Sequence, residues 1–401
     1  MKKILLILLT LSLFSGCTTK QKAIINPLEG EIVMAVENEK FGEDFLALWQ
    51  ETYPEYPNAL KFVVYDDFDS VEFQENYSDL AILWDVDAAG MQDLLLPIDI
   101  SQYRLQLVSQ YLLNTQEVKY LPLAGLGSFF IVNKTLLSEN GIDTSDNNHD
   151  GLIDAVDSFE KIANLDFEVK MHYDVDDEYS ANFLFTNGFK LFADNDKSNP
   201  GFTSEAFINA LQTSLDLKSL LTLSDFVYPD DLADGSVPFI IGLPTFLIAE
   251  EAEALGVEYQ ISKFPTYQNQ EFYPFASSKG YVINADCDYP DLANLVLALL
   301  ETPEGLQLYL NDTMSYLLYD GDADLEYQDW LHAEISQAYQ YSYPSDFYGY
   351  GNDNSQNVED MLAAIAYQAT LKDVFNEKIT VSEATTSLDK QAKEWLVNVT
   401  E

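Results

Sequence analysis

Ile32-Val33-Met34-Ala35-Val36 reads as a strand, Gly42 to Tyr53 as an amphipathic helix, Leu60 to Tyr65 as a second strand, and Asp79-Leu80-Ala81-Ile82-Leu83-Trp84 as a third. Short apolar runs between polar breaks suit strands, and apolar residues recurring every three or four positions suit one face of a helix. Strand, helix and strand in this order form a βαβ rhythm, which argues for a mostly parallel sheet flanked by helices. The fold class is therefore α/β, and ligands of such sheets gather at the carboxyl ends of the strands.

Working outward, Leu121 to Asn133 is a long apolar, strand-like stretch with Gly125 and Gly127 near its start. Past Asn140 the chain turns polar, and helical patterns dominate from Phe202 to Leu221. Val237 to Ile241 reads as a strand ending at Gly242-Leu243-Pro244, and Gly280 to Asn284 as another, ahead of a helix opened by Pro290-Asp291. The C-terminal part is mainly helical, broken by an aromatic, glycine-rich loop from Tyr339 to Asn352, and there is no internal repeat. A chain of 401 residues with 47% hydrophobic content and 13% aromatics buries a large core, and its length favours two lobes over one.

The N-terminus, MKKILLILLTLSLFSGCTTK, places two lysines before an apolar run from Ile4 to Phe14 and small residues before Cys17. That run is too short for a permanent membrane helix and reads as an export signal over residues 1–16. Leu13-Phe14-Ser15-Gly16-Cys17 resembles a bacterial lipoprotein signal, which implies a lipid on Cys17 and a domain held outside the cytoplasm, on the outer face of the cell membrane. The plainer alternative is a secreted protein with an incidental cysteine. Residues 17–30 are polar, contain Pro27 and read as a tether.

The formal net charge is -47. Such a field repels phosphate backbones and anionic lipid, so no nucleic-acid partner is expected, and a neutral ligand fits better than an acidic one. If Cys17 carries lipid, Cys287 has no disulfide partner, so stability rests on packing or on bound metal. Cys287 itself has no assigned role.

Asp146-Asn147-Asn148-His149-Asp150-Gly151-Leu152-Ile153-Asp154-Ala155-Val156-Asp157 has the pattern of a calcium loop. Oxygen side chains stand at loop positions 1, 3, 5, 9 and 12, glycine at the sharp turn in position 6, and an apolar plug at position 8. The expected ligands are Asp146, Asn148, Asp150, the Leu152 carbonyl, Asp154 and Asp157, with a structural role for calcium ahead of a helix from Ser158 to Asn164. Asp157 stands where glutamate is commoner, so the affinity is modest. The alternative is a solvated acidic loop. Asp320-Gly321-Asp322-Ala323-Asp324 lacks these features and reads as a solvated face.

The order of these segments resembles the extracellular solute-binding proteins of ABC importers, in the maltose-binding-like, oligosaccharide-binding branch. The resemblance rests on Asn38-Glu39-Lys40 after the opening strand, on Asp79 to Trp84 with Asp87, and on Pro122-Leu123-Ala124 followed by Phe129 to Leu137. It continues through Ser158-Phe159-Glu160-Lys161-Ile162, Ile240-Ile241-Gly242, Phe264-Pro265, Tyr281 to Ala285 and Leu299 to Gly305. It implies a two-lobed periplasmic-binding-protein-like fold with crossover hinge segments, lobe 1 from 31–124 and 272–318 and lobe 2 from 125–271 and 319–401. Such lobes close on a sugar by hinge motion.

The resemblance further implies a monomer that binds a neutral oligosaccharide and delivers it to ABC permease subunits. Family contact positions carry over onto Glu39, Lys40, Trp84 and Asp87, with Trp84 as a stacking face and Asp87 as a hydroxyl acceptor. Tyr179, Phe347, Tyr348 and Tyr350 are candidates for further rings. Each has a bland counterpart: Trp84 as core, Glu39 and Lys40 as an exposed pair, the aromatic loop as a lid. Ala88, the turn Gly242-Leu243-Pro244-Thr245 and the small residues of Met361 to Ala366 depart from the maltose-binding pattern. Rival readings are a secreted carbohydrate-active enzyme, which needs only two carboxylates, and a calcium-dependent surface adhesin. The three histidines form no paired zinc spacing and there is no nucleophile elbow, so no catalytic activity is expected.

Overall fold

A computed structural model describes residues 30–65, 78–102, 117–173, 175, 182–192, 198–224, 236–244, 249–313, 315–318, 325–339, 342–344 and 355–400. The opening strand, Ile32–Val36, is followed by a helix over Glu39–Thr52 that begins ahead of its apolar pattern. Asn38 is the reason: its Oδ1 accepts the Lys40 and Phe41 amides at 2.9 and 3.3 Å, capping otherwise unpaired helix N–H groups. Phe41, Phe45 and Trp49 lie on one helix face and are fully buried. They join Ile32, Leu60, Leu297 and Tyr309 in the core of one half of the molecule.

The strands form one continuous sheet in the order Leu60–Val64, Ile32–Val36, Leu80–Trp84, Phe275–Asn284, Leu121–Asn133, Phe239–Gly242, Met171–His172 and Leu223–Ser224. The outer pairs are parallel. The central ones are antiparallel, which corrects the expectation of a mostly parallel sheet. The cause is topological: Leu121–Asn133 carries the chain out of one half, and Phe275–Asn284 carries it back in the opposite direction. The returning strand begins earlier than its apolar run from Gly280, because Phe275 to Lys279 pair with the crossing strand at Ser128 to Ala124.

Leu121–Asn133 belongs to both halves. Its first part pairs with the returning strand, and Phe129 to Asn133 pair with Phe239–Gly242 and Tyr259–Ser262. Side chains alternate across it, so Phe130 and Val132 enter the second half's main core while Phe129 and Ile131 face the opposite side with Tyr339. That main core is aromatic: Phe183 and Phe264 stack at 4.3 Å with planes 4° apart, Phe159 and Phe272 pack on Phe183, and Phe207 gathers Phe185, Phe189 and Phe202. Each such buried ring contributes about 1.5–3 kcal/mol of transfer free energy. A third crossing is short, with Tyr316–Leu317 pairing with Gly125 and Ala124. The molecule is thus two α/β lobes joined by strands that run between them.

Where the returning strand meets the crossing strand, the register slips. Lys279 stands opposite Ala124, but Gly280 stands opposite Pro122, so the ladder skips Leu123 in a bulge. Only glycine fits the next position, since a Cβ on Gly280 would lie 2.2 Å from the Leu121 carbonyl oxygen. Helices Ser355–Ala364, Tyr367–Phe375 and Val381–Thr400 complete the second lobe, burying Met361, Leu371 and Leu388. Among the described residues, no helix is long and apolar enough to cross a membrane.

Candidate functional site

Trp84 ends its strand at the carboxyl edge of the first lobe's sheet, half-buried, and the helix Asp85–Gly90 starts immediately after it. It is therefore not a core residue like Trp49, which is fully buried. The antiparallel register sets Lys279 opposite Trp84, and the Lys279 ammonium lies 4.7 Å from the centre of the indole, within cation–π range. Lys279 also forms an ion pair with Glu37, the residue that leaves the opening strand. The Tyr309 hydroxyl donates to the other Glu37 oxygen at 3.4 Å. Glu37, Trp84 and Lys279 thus meet where two strands end and a third passes.

A buried network holds this edge in place. Asp85, 1% exposed, accepts the Ser278 amide at 2.9 Å and the Ser278 hydroxyl at 3.1 Å. With its proton committed to Asp85, the Ser278 hydroxyl takes the Tyr120 hydroxyl as donor at 3.0 Å. Burial raises the Tyr120 phenol well above its ordinary pKa, and the charges of Asp85 and Asp87 add to the effect, so the phenol keeps its proton. Asp87 itself is half-buried on the helix that starts at Asp85. The second-lobe helix Ser355–Ala364 packs against that same helix, so the lobes approach each other along the segment that follows Trp84.

Glu39 and Lys40 occupy the exposed first turn of the helix Glu39–Thr52. Lys40 pairs with Asp44 at 2.5 Å and with Asp312 at 2.6 Å, and these partners, Asp312 foremost, hold its pKa above the ordinary range. Met361 and Ile365 are sealed in the second lobe's core, so no stacking face is offered there. Tyr179, Phe347, Tyr348, Tyr350 and Cys17 lie outside the described residues, as do residues 1–16, most of the tether and Asp320 to Asp324. Cys287 is buried.

Glu37 and Lys279 were not singled out in the sequence. Glu37 had a signal in its place at the end of a strand of the βαβ unit. For Lys279 the signal was a lysine beside glycine in an otherwise small-residue run, Ala276-Ser277-Ser278-Lys279-Gly280, and a glycine inside a strand marks a bulge.

The loop at 146–157 turns tightly, with Gly151 at φ 87° and His149 at φ 58°. Asp146 accepts the amides of Asp150 at 3.2 Å and Gly151 at 2.9 Å, Asn148 accepts that of Asp150 at 3.0 Å, and Asp150 accepts that of Leu152 at 3.0 Å. The second half is engaged differently. Lys161 reaches Asp157 at 2.7 Å and the Asp154 carbonyl at 2.8 Å; Asp150 of the first half also pairs with Lys263 at 3.3 Å. The helix after it spans Phe159–Ala163, capped by the Ser158 hydroxyl. Among the described residues, no three His, Cys, Asp or Glu side chains stand together as a metal-holding group.

No family model matches the chain, and no curated protein matches it. Among solved structures, the fold is similar to a cyclo/maltodextrin-binding protein complexed with maltotetraose, with a TM-score of 0.66 and 14% sequence identity over 91% of this chain and 96% of that one. At this identity the likeness shows the fold.

Proposed function

We propose that this chain is an extracytoplasmic sugar-binding protein of an importer, anchored by a lipid on Cys17, which captures a neutral oligosaccharide between its lobes and passes it to a permease. The observation that carries the reading is Trp84, a half-buried indole at the carboxyl edge of the first lobe's sheet, beside Asp87, where a helix of the second lobe approaches. Sugar rings present an apolar face that stacks on indole, and their hydroxyls need carboxylate acceptors at the edge. The protein with the similar fold was solved with maltotetraose, which makes the maltodextrins the first ligands to try. A net charge of -47 favours an uncharged guest. The chain acts by closure and not by chemistry, so the sugar leaves unaltered.

The test is a thermal-shift and calorimetric screen of the full chain against neutral mono- and oligosaccharides. A true ligand at one hundred times its Kd stabilises the folded state by about 2.7 kcal/mol. Trp84→Ala removes the response while keeping the unliganded Tm. No response to any sugar, or an unchanged response in Trp84→Ala, refutes the reading, and cleavage products would replace it with an enzyme.

Calcium at 146–157 is a second part of the proposal. Asp146, Asn148 and Asp150 already fold the first half of the loop, and calcium would be held by them with the Leu152 carbonyl, Asp154 and Asp157. Binding requires Lys161 to release Asp157 and Lys263 to release Asp150. Its effect is structural, neutralising crowded carboxylates ahead of the helix at Phe159. Calcium is expected to raise Tm over that in chelator, and Asp146→Ala to abolish the difference; equal Tm values in the two buffers refute it.

A further inference from the structure

We infer that Lys279 and Glu37 form the polar half of the ligand site, a donor and an acceptor that take adjacent hydroxyls of a neutral sugar ring lying on the face of Trp84 that Lys279 does not cover. The inference rests on the sugar-binding reading and deepens it by naming the residues that set specificity.

Three features of the fold point the same way. The ladder slips between Lys279 and Gly280, and such bulges re-aim the side chain beside them. Both flanks of Lys279 are fixed: Ser278 is bonded to Asp85 through its amide and hydroxyl, and Gly280 sits against the Leu121 carbonyl with no room for a Cβ. The side chains so aimed are three-quarters buried, at 25% exposure for Lys279 and 22% for Glu37. Taking two charges this far from water is unfavourable unless their remaining hydrogen-bonding capacity is used.

That capacity is what a sugar would meet. An ammonium has three donors, of which Glu37 occupies one, and a carboxylate has about four acceptor sites. Tyr309 approaches Glu37 at the long distance of 3.4 Å. Neighbouring hydroxyls on a pyranose each donate and accept, so they bridge a donor and an acceptor held side by side. Because the two charges cancel, the pair attracts no ionic ligand. Lys279 over one face of the indole leaves a single face for stacking, so Trp84 serves one ring of the sugar.

The test uses the full chain as Lys279→Met and Glu37→Gln, titrated calorimetrically with maltotetraose and with each neutral sugar that shifts the wild type. Losing a hydrogen bond to a charged group weakens binding roughly tenfold or more, so both variants are expected to lose at least that much affinity, titrated well below their Tm because removing one partner of a three-quarters-buried pair also lowers the sugar-free Tm. Lys279→Arg, which keeps the charge but moves the donors outward, should fold and lose affinity in the same direction. It carries the test if Lys279→Met does not fold. Wild-type affinity in folded variants means the pair only braces the strands, which overturns this inference and leaves the sugar-binding reading intact. A wild type that binds no sugar removes both.

Discussion

Glu301→Gln should abolish a loss of stability with rising pH that the wild type suffers from one carboxyl group. Glu301 closes the C-terminal end of the helix Pro290–Leu300, its amide bonded to the Leu297 carbonyl, and its residue is 2% exposed. Burial alone pushes its carboxyl from an ordinary value of 4.5 up to about 8. A helix C-terminus is also the end that disfavours a negative charge. Because the folded pKa is the higher one, the folded state holds a proton between about pH 4.5 and 8 that the unfolded chain has released. The stabilising protonated form is fully available below the unfolded pKa and is lost as pH rises through the folded one. At about 1.4 kcal/mol per pH unit, a shift of this size amounts to about 5 kcal/mol in total, of which about 4 kcal/mol fall between pH 5 and 9. Urea unfolding of wild type and Glu301→Gln at intervals across that range gives the difference directly, since every other titrating group cancels. The variant should gain on the wild type steadily up to about pH 8 and then run parallel. Parallel curves throughout would mean that the carboxyl ionises in the fold without penalty, and the argument from burial would be wrong.

Gly280→Ala should lower stability by roughly 2 kcal/mol or more, because the new methyl group meets the Leu121 carbonyl at 2.2 Å and backbone on both strands must move. An unchanged Tm would show that the bulge is not needed. Asp85→Ala leaves the buried Ser278 amide and hydroxyl without their acceptor, at a cost of about 2–4 kcal/mol in unfolding free energy, and it should loosen Trp84 next door. Thermal unfolding together with indole fluorescence checks both effects, and retention of both signals would refute the network's role.

Much of the fold was legible in local sequence. Ile32–Val36, the helix closed around Phe41, Phe45 and Trp49, and the strand ending at Trp84 follow from patterns that repeat every two or every three to four residues. Capping at Asn38 is equally local, although the helix was read only from Gly42. The direction of the central strands was less legible, because an apolar run carries no sign of which neighbour it will pair with. The returning strand was read only from Gly280, since Ser277, Ser278 and Lys279 interrupt the apolar pattern just where the chain crosses between lobes. Trp84 and Asp87 were named through the resemblance to oligosaccharide-binding proteins, and Trp84 also through its place at a strand end. Lys40 pairs with Asp44 and with Asp312, and the second of these lies 272 positions along the chain, beyond any local pattern.

By itself the sequence determined the α/β class, the strand end at which Trp84 stands and the calcium-like spacing at 146–157, because each depends on residues within a few turns of one another. Only the tertiary structure decided that Glu37 and Lys279, 242 positions apart, form one ion pair beside Trp84, and that Asp85, Ser278 and Tyr120 join in one buried network at the neighbouring strand position. The physical reason is that strand pairing is a long-range choice. It is fixed by the summed burial of whole faces, and a single-residue slip beside Lys279 then decides which side chain stands next to Trp84.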